Sequence, residues 1–403
     1  MKPMKALISL EEGMAILREI AQPIDRTERV PLLEASRRVL AEPVVAAADV
    51  PPFARAAMDG YAVVAQDTFG AGNFNPVRLR VLEVVHAADI AVSAVTAGAC
   101  IQVATGAPVP AGADAVVQFE DTELEGDARE VKIYTPVYPR QNVSAQGKDI
   151  QAGQTVLEAE TRLDPSKIGV LAALGLTEVA VVAKPTVAVI PSGNEIVPPG
   201  EPLSPGKIYD INSYTLAALI QEAGGIPRLF PVMKDTLEDV RRTLREALSC
   251  DLVVLSGGSS VGERDVMVEA VESMGEVKFH GIAVKPGKPT LCGVIEGRLV
   301  LGMPGYPTSC LTNGYGLLAP ALRTLAHLPE ERAGGVELPM ARRYTSTTGR
   351  HQYLPVRIEA GEVVPVFKES GAITSMADAE GYIEIPANVD LVEKGERVLV
   401  KFF

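Results

Sequence analysis

Leu252-Val253-Val254-Leu255-Ser256-Gly257-Gly258-Ser259-Ser260-Val261-Gly262-Glu263-Arg264-Asp265 is the stretch that decides the fold. Four consecutive apolar residues running into small residues and glycines read as a strand buried on both faces, followed by a tight turn. Val266, Ala270 and Met274 then recur at helical spacing, so the turn opens a helix. Two further loops, Val284-Lys285-Pro286-Gly287-Lys288-Pro289 and Gly302-Met303-Pro304-Gly305-Tyr306-Pro307-Thr308-Ser309, sit between β-rich runs. Loops of this composition build no core; they present N–H groups, hydroxyls and ammonium groups to something anionic.

Upstream of that strand the chain alternates strands and helices. Val187 to Ile190 reads as a strand, Ser213 to Ala223 as a helix stopped by Gly224-Gly225, and Leu229 to Val232 as the next strand. Asp235-Thr236-Leu237-Glu238 caps a helix with Leu237, Val240, Leu244 and Leu248 on one face. A helix over Thr308 to Ala326 closes the series. Repeated βα units with near-continuous apolar strands predict a mostly parallel sheet covered on both faces.

The flanks read differently. Ser9-Leu10-Glu11-Glu12 is a capping box for an N-terminal helix that Pro23 closes. A strand at Val30 to Leu33 and a short helical pattern through Leu40, ended by Pro43, follow. From about 65 to 145, β-branched runs (Val77 to Val85, Cys100 to Ala104, Ala115 to Phe119, Val131 to Tyr134) alternate with Gly and Pro, which predicts a small β domain. Asp164-Pro165 through Gly175 reads as a helix with Asp at the N-cap, Pro at the first position and Gly past the end. Gly334 to Phe403 is strand and turn again.

Composition narrows the function. At 403 residues and roughly 100–200 residues per domain, three or four domains are expected. A net charge of −13 argues against nucleic acid as a partner, because phosphate backbones are held by basic surfaces. Cys100, Cys250, Cys292 and Cys310 have no C-x-x-C spacing, so neither a zinc site nor a disulfide framework is expected. With neither a signal-like start nor an apolar run of about 18 residues, a cytoplasmic protein without a membrane span is expected.

In an open α/β sheet, ligands sit beyond the carboxyl ends of the strands. Ser192-Gly193-Asn194-Glu195, Lys234-Asp235, and Ser256-Gly257-Gly258 with Asp265 all follow strands, so three carboxylates and a glycine-rich turn converge on one rim. Carboxylates beside a phosphate cradle suit Mg²⁺, which bridges one or two of them to substrate phosphates. Capping alone would explain Asp235 and Asp265, whereas Glu195 precedes no helix. The Walker, dinucleotide and H-E-x-x-H patterns are absent. Gly258-Ser259-Ser260-Val261-Gly262 matches the G-x-S-x-G elbow, which would make Ser260 a hydrolase nucleophile with His280, His327 or His351 as base. Asp59-Gly60 reads as a turn feeding a strand, and the Thr105 loop as a connector.

Taken together, Ala57-Met58-Asp59-Gly60-Tyr61-Ala62, Thr105-Gly106-Ala107-Pro108, Gly147-Lys148-Asp149-Ile150, Ser192 to Glu195, Ser256 to Asp265, Lys285 to Pro289 and Pro304 to Pro307 carry a resemblance. In this order the sequence resembles the MoeA family of molybdopterin molybdenumtransferases, related to the E domain of gephyrin, over essentially its whole length. The resemblance implies a multidomain α/β plus β fold: a segmented linker domain (1–46 and 146–178), an inserted β domain (47–145), a central MogA/MoaB-like α/β catalytic domain (179–328) and a C-terminal β barrel (329–403). It implies a homodimer whose cleft combines the catalytic domain of one subunit with the inserted domain of the other. The implied reaction inserts molybdate, or tungstate, into adenylylated molybdopterin with release of AMP, using Mg²⁺. It places catalytic roles on Asp59, Thr105, Glu195, Asp235 and Asp265, metal contacts on the last three, and substrate binding on Ser256, Gly257, Gly258, Ser260, Gly262, Lys285, Lys288, Pro304 and Pro307. The adenylyltransferase that prepares this substrate is the nearest alternative, but needs only the α/β unit; a non-enzymatic scaffold would not need the acids. Ser259, Gly281 and Tyr306 depart from the usual family residues.

Overall fold

The computed structural model describes residues 7–126, 129–257, 266–329 and 334–403. These divide into two compact units, one comprising Met1–Arg29, Arg37–Ala41 and Ala180–Phe403, the other Val30–Ser36 and Glu42–Val179.

The first unit is built on a six-stranded sheet in the order Ile226–Leu229, Thr186–Pro191, Leu252–Ser256, Arg298–Met303, Leu291–Ile295 and Glu276–His280. The first four strands are mutually parallel and the last two antiparallel. Side chains alternate between two cores, as a strand's two-residue period requires. Val187, Val189, Leu252, Val254, Leu299 and Leu301 face helices Leu10–Ile20, Asn212–Glu222 and Ala319–Leu325. Ala188, Ile190, Val253, Leu255 and Val300 face helices Leu237–Ala247 and Val266–Met274. The apolar runs therefore read correctly as strands covered on both sides.

Expectations are corrected in three stretches. The strand expected at Val30 to Leu33 runs over Thr27–Pro31 and gives way to a single 3-10 turn at Leu32–Glu34, and the helical pattern expected through Leu40 is absent: Arg37 has φ +65°, and Leu40 makes an extended bridge to Val181. The strand expected at Leu229 to Val232 lies at Ile226–Leu229, where it pairs with Thr186–Val189. Beyond Leu229 the Phe230 N–H still donates to the Val189 carbonyl at 2.9 Å and the Met233 N–H to the Pro191 carbonyl at 2.8 Å, so the chain follows the same neighbour without continuing the regular ladder. The expected helix from Thr308 is interrupted by a π-helical turn at Gly314–Leu318, just ahead of Pro320.

A second sheet in this unit runs Val284–Lys285, His351–Glu359, Gly381–Ile385, Arg397–Phe402 and Gly335–Pro339, with Glu362–Pro365 beside His351–Glu359. Met340 bridges Val363, returning the last strand toward the first hairpin around Leu354, Val356, Ile383 and Val400. In the other unit, six strands line up as Ala115–Gln118, Gly60–Val63, Ala99–Val103, Val77–Val85, Glu130–Ile133 and Thr122–Glu125. The capping box at Ser9 and the N-cap at Asp164 both form.

A buried carboxylate paired with a half-exposed arginine pins the central ladder at the amino ends of its strands. Asp251, with a side chain 2% exposed, accepts two hydrogen bonds from Arg26 at 2.7 Å. It also accepts from the Thr186 N–H at 2.8 Å and the Thr186 hydroxyl at 2.9 Å. Burial would raise the Asp251 pKa, but the hydrogen bonds from Arg26 and Thr186 outweigh it and hold the carboxyl at about 2. A folded-state value below the ordinary one stabilises the fold above the usual carboxylate range, and that contribution is lost as pH falls toward the depressed value. Asp251→Asn should therefore lose about 2 kcal/mol at pH 7 in chemical denaturation, and clearly less at pH 3. An equal deficit at both pH values would overturn this account of the pin.

Candidate functional site

The register set by that pin places three strand ends level. Pro191 lies opposite Ser256, and Ser256 opposite Met303. The Ser192 N–H donates to the Ser256 carbonyl at 2.8 Å, and the Gly257 N–H to the Met303 carbonyl at 3.3 Å. Met233 bridges Ser192, which brings Lys234-Asp235 to the same edge. Gly257 has φ +95°, and a Cβ there would fall 2.3 Å from the Ser192 carbonyl oxygen, so only glycine fits. Gly305 passes close by: its Cβ position is 3.5 Å from Gly257 Cα. Asn212 Nδ2 donates to the Gly305 carbonyl at 2.9 Å and holds the proline loop at this edge.

Two carboxylates stand against consecutive residues of this rim, Ser192 and Gly193. The Ser192 hydroxyl donates to Asp235, and the Glu195 carboxylate lies over Gly193, 2.8 and 2.9 Å from where a Cβ would stand. Asp235 is not a helix cap. Thr236 holds that position, its hydroxyl accepting from the Asp239 N–H, so the capping explanation of Asp235 is corrected. Gly258, Ser260, Gly262 and Asp265 lie outside the described residues. Among the described residues no group of three or more His, Cys, Asp or Glu is arranged to hold a metal. The pair Glu195 and Asp235 offers hard oxygen donors of the kind Mg²⁺ takes when water and substrate phosphate complete its shell.

The two lysines of the next loop are half-buried and form no ion pair among the described residues. Strand Val284–Lys285 pairs in parallel with His351 and Gln352 of the second sheet, and Lys285 Nζ donates to the Thr347 hydroxyl at 2.6 Å. Pro304 is buried, and Pro307 opens helix Pro307–Asn313. The Thr308 N–H and hydroxyl donate to the carbonyls of Ser370 and Ala372 at 3.0 and 2.9 Å. Thr347, Ser370 and Ala372 escaped the sequence reading, because nothing in a Ser-Thr-Thr-Gly loop far along the chain signals that its strand joins the lysine loop.

In the other unit, Asp59 and Thr105 meet directly. Asp59 Oδ1 accepts from the Thr105 N–H at 2.7 Å and the Thr105 hydroxyl at 3.0 Å, and both residues are exposed. Asp59-Gly60 does lead into strand Gly60–Val63, as the turn reading had it. Its carboxylate, however, orients the Thr105 loop rather than the turn.

A cavity of about 900 Å³ lies elsewhere in the first unit, among Leu219, Tyr315, Tyr353, Tyr382 and Phe403. None of the described expected site residues lines it, so this cavity and the polar rim are separate features. Of the histidines considered as hydrolase bases, His327 Nε2 is 3.0 Å from the Ile24 carbonyl and His351 Nε2 3.7 Å from Glu384.

Three family models match consecutive segments: "MoeA N-terminal region (domain I and II)" over residues 8–175, "Probable molybdopterin binding domain" over 188–324, and "MoeA C-terminal region (domain IV)" over 337–403. The chain is 34% identical over 402 residues to molybdopterin molybdenumtransferase 2 of Mycobacterium tuberculosis, covering 97% of this chain and 98% of that protein. It is 32% identical over 387 residues to molybdopterin molybdenumtransferase of Staphylococcus epidermidis, covering 94% and 91%. Its fold is similar to a molybdopterin biosynthesis MoeA protein from Pyrococcus horikosii, with TM-score 0.85, 42% identity and coverage of 98% and 99%. Models, relatives and fold agree along nearly the whole length, with the rim inside the molybdopterin-binding segment: the chain belongs to the MoeA family of molybdopterin molybdenumtransferases.

Proposed function

We propose that this protein inserts molybdate, or tungstate, into adenylylated molybdopterin in the cytoplasm, releasing AMP and the finished cofactor. The observation that carries the reading is the pair Lys285 and Lys288. Both residues are partly buried and have no carboxylate partner among the described residues, which leaves their positive charge for an anion, and the pair sits on a loop of the unit that bears the carboxylate rim. Gly257 and Gly305 keep side chains away from that rim, leaving backbone for a phosphate to approach. Pro304 and Pro307 would stiffen the facing loop, with Ser256, Gly258, Ser260 and Gly262 completing the cradle.

Glu195, Asp235 and Asp265 would hold Mg²⁺ with its waters, and the ion would neutralise pyrophosphate charge as the bond to AMP breaks. The Ser192 hydroxyl donates to the Asp235 carboxylate and would hold it turned toward that position. Asp59 and Thr105 would supply a carboxylate and a hydroxyl from the second wall, their mutual hydrogen bonds setting the Thr105 side chain. The domain reading accompanies this: linker segments 1–46 and 146–178, inserted β domain 47–145, catalytic domain 179–328 and barrel 329–403. The intersubunit cleft of a homodimer accompanies it too. Support for the barrel comes from the Met340–Val363 bridge that closes the second sheet. The described residues contain no helix long and apolar enough to cross a membrane, and the four cysteines are separate buried thiols, as suits a reducing compartment.

Purified protein supplied with adenylylated molybdopterin, molybdate and Mg²⁺ should release AMP. Asp235→Asn should keep its fold and release AMP about a hundredfold more slowly, with part of the loss recovered by raising Mg²⁺. Unchanged AMP release at limiting Mg²⁺ would remove Asp235 from the metal site.

Two subunits per site can be tested by mixing Asp59→Ala protein with Glu195→Ala protein, each expected to be inactive alone. In a mixed dimer one cleft carries both defects and the other none, so random exchange should restore about a quarter of wild-type activity. No recovery after demonstrated exchange would assign Asp59 to its own chain's cleft.

A further inference from the structure

Helix Pro307–Asn313 starts in the proline loop and ends against the lysine loop, so one short element touches both stretches expected to bind substrate. Its last residue, Asn313, is 1% exposed. Asn313 Nδ2 donates to the Gly287 carbonyl at 2.9 Å and to the Thr290 hydroxyl oxygen at 2.7 Å. The Thr290 hydroxyl in turn donates to the Gly287 carbonyl at 2.8 Å, closing a triangle of three hydrogen bonds. Gly287, between the two lysines, has φ +111°, and a Cβ there would lie 2.4 to 2.6 Å from the Asn313 amide atoms. The loop thus rests directly on this amide. Its base is closed by the Ile282 and Thr290 N–H groups, both donating to the Lys288 carbonyl at 3.0 Å.

We propose that Asn313 and Thr290 are positioning residues that fix Lys285 and Lys288 for the anionic part of the substrate. A buried amide among apolar side chains stabilises a fold only when its hydrogen bonds are made, and a satisfied buried network then enforces one local arrangement. Here that arrangement is the orientation of the Gly287 carbonyl, hence of the peptide that leads into Lys288. An ammonium is a point charge on a flexible stem, so its hold on an anion depends on how well the backbone beneath it is placed. Lys285 is further restrained by Thr347, which leaves the Gly287–Lys288 half as the part Asn313 and Thr290 control.

The inference rests on the reading of the lysine loop as an anion site, and the test separates the two. KM and kcat for adenylylated molybdopterin are measured on wild type and on Lys288→Ala, Asn313→Ala, Thr290→Val and Thr290→Ser. Leu322→Ala, a core change outside these loops, serves as the comparison for general destabilisation. Lys288→Ala should raise KM; if it does not, the anion reading itself falls. Loss of the buried network should raise KM about tenfold in Asn313→Ala, the equivalent of roughly 1.4 kcal/mol, with kcat changed much less. Thr290→Val preserves side-chain volume and covers the case in which Asn313→Ala does not fold; it should raise KM in the same direction, and Thr290→Ser should restore it. Leu322→Ala should lower Tm and leave KM unchanged. A raised KM in Lys288→Ala with unchanged KM in Asn313→Ala and Thr290→Val, or a KM in Leu322→Ala raised as much as theirs, would overturn the positioning role.

Discussion

The rim depends on the register of parallel strands. Because side chains alternate with a period of two, a slip of one residue in Leu252–Ser256 would exchange the two cores and move Ser256 and Gly257 off the level of Ser192 and Pro304. Asp251 opposes such a slip from the far end of the ladder by gripping the Thr186 N–H and hydroxyl while Arg26 neutralises its charge. A buried carboxylate is tolerable there because its oxygens are supplied with donors. The rim at one end of the sheet is thus held in place by electrostatics at the other.

Buried side-chain amides do comparable work on the loops. Asn212 ties the Gly305 carbonyl to the start of its own helix, and Asn313 ties Gly287 to the end of another. The Asn313 contact needs a glycine at the point of approach, since a Cβ on Gly287 would lie 2.4 Å from the amide nitrogen, which connects that glycine to packing. The second sheet contributes through main chain and hydroxyls: Val284–Lys285 is itself one of its strands, and Thr347 reaches Lys285. The lysine loop is therefore tied by main chain and side chain to the second sheet.

The helices with strong local chemistry, at Ser9 and Asp164, were legible because their caps are sequence-local and need no distant partner. The central strands were legible from continuous apolarity. The helical reading before Pro43 failed because Val39 and Leu40 are buried as extended backbone against Val181 and Val182, a contact more than a hundred residues away. For Asp235 the sequence left capping open beside a site role, since Asp and Thr in succession are both good caps; the Thr236 cap bond and the Ser192 contact across strands separate them.

Sequence alone determined the family, the α/β core and the expected site residues, because ordered motifs, apolar periodicity and caps are properties of contiguous residues. What only the tertiary structure decided is which of those residues meet. Asp59 bonds to Thr105, Asp235 to Ser192, Lys285 to Thr347 and Asn313 to Gly287 through hydrogen bonds spanning 26 to 62 residues of chain. Such bonds have no local signature: a hydroxyl, amide or carboxylate satisfies whichever donor or acceptor the fold delivers, and the fold is set by burial and register elsewhere.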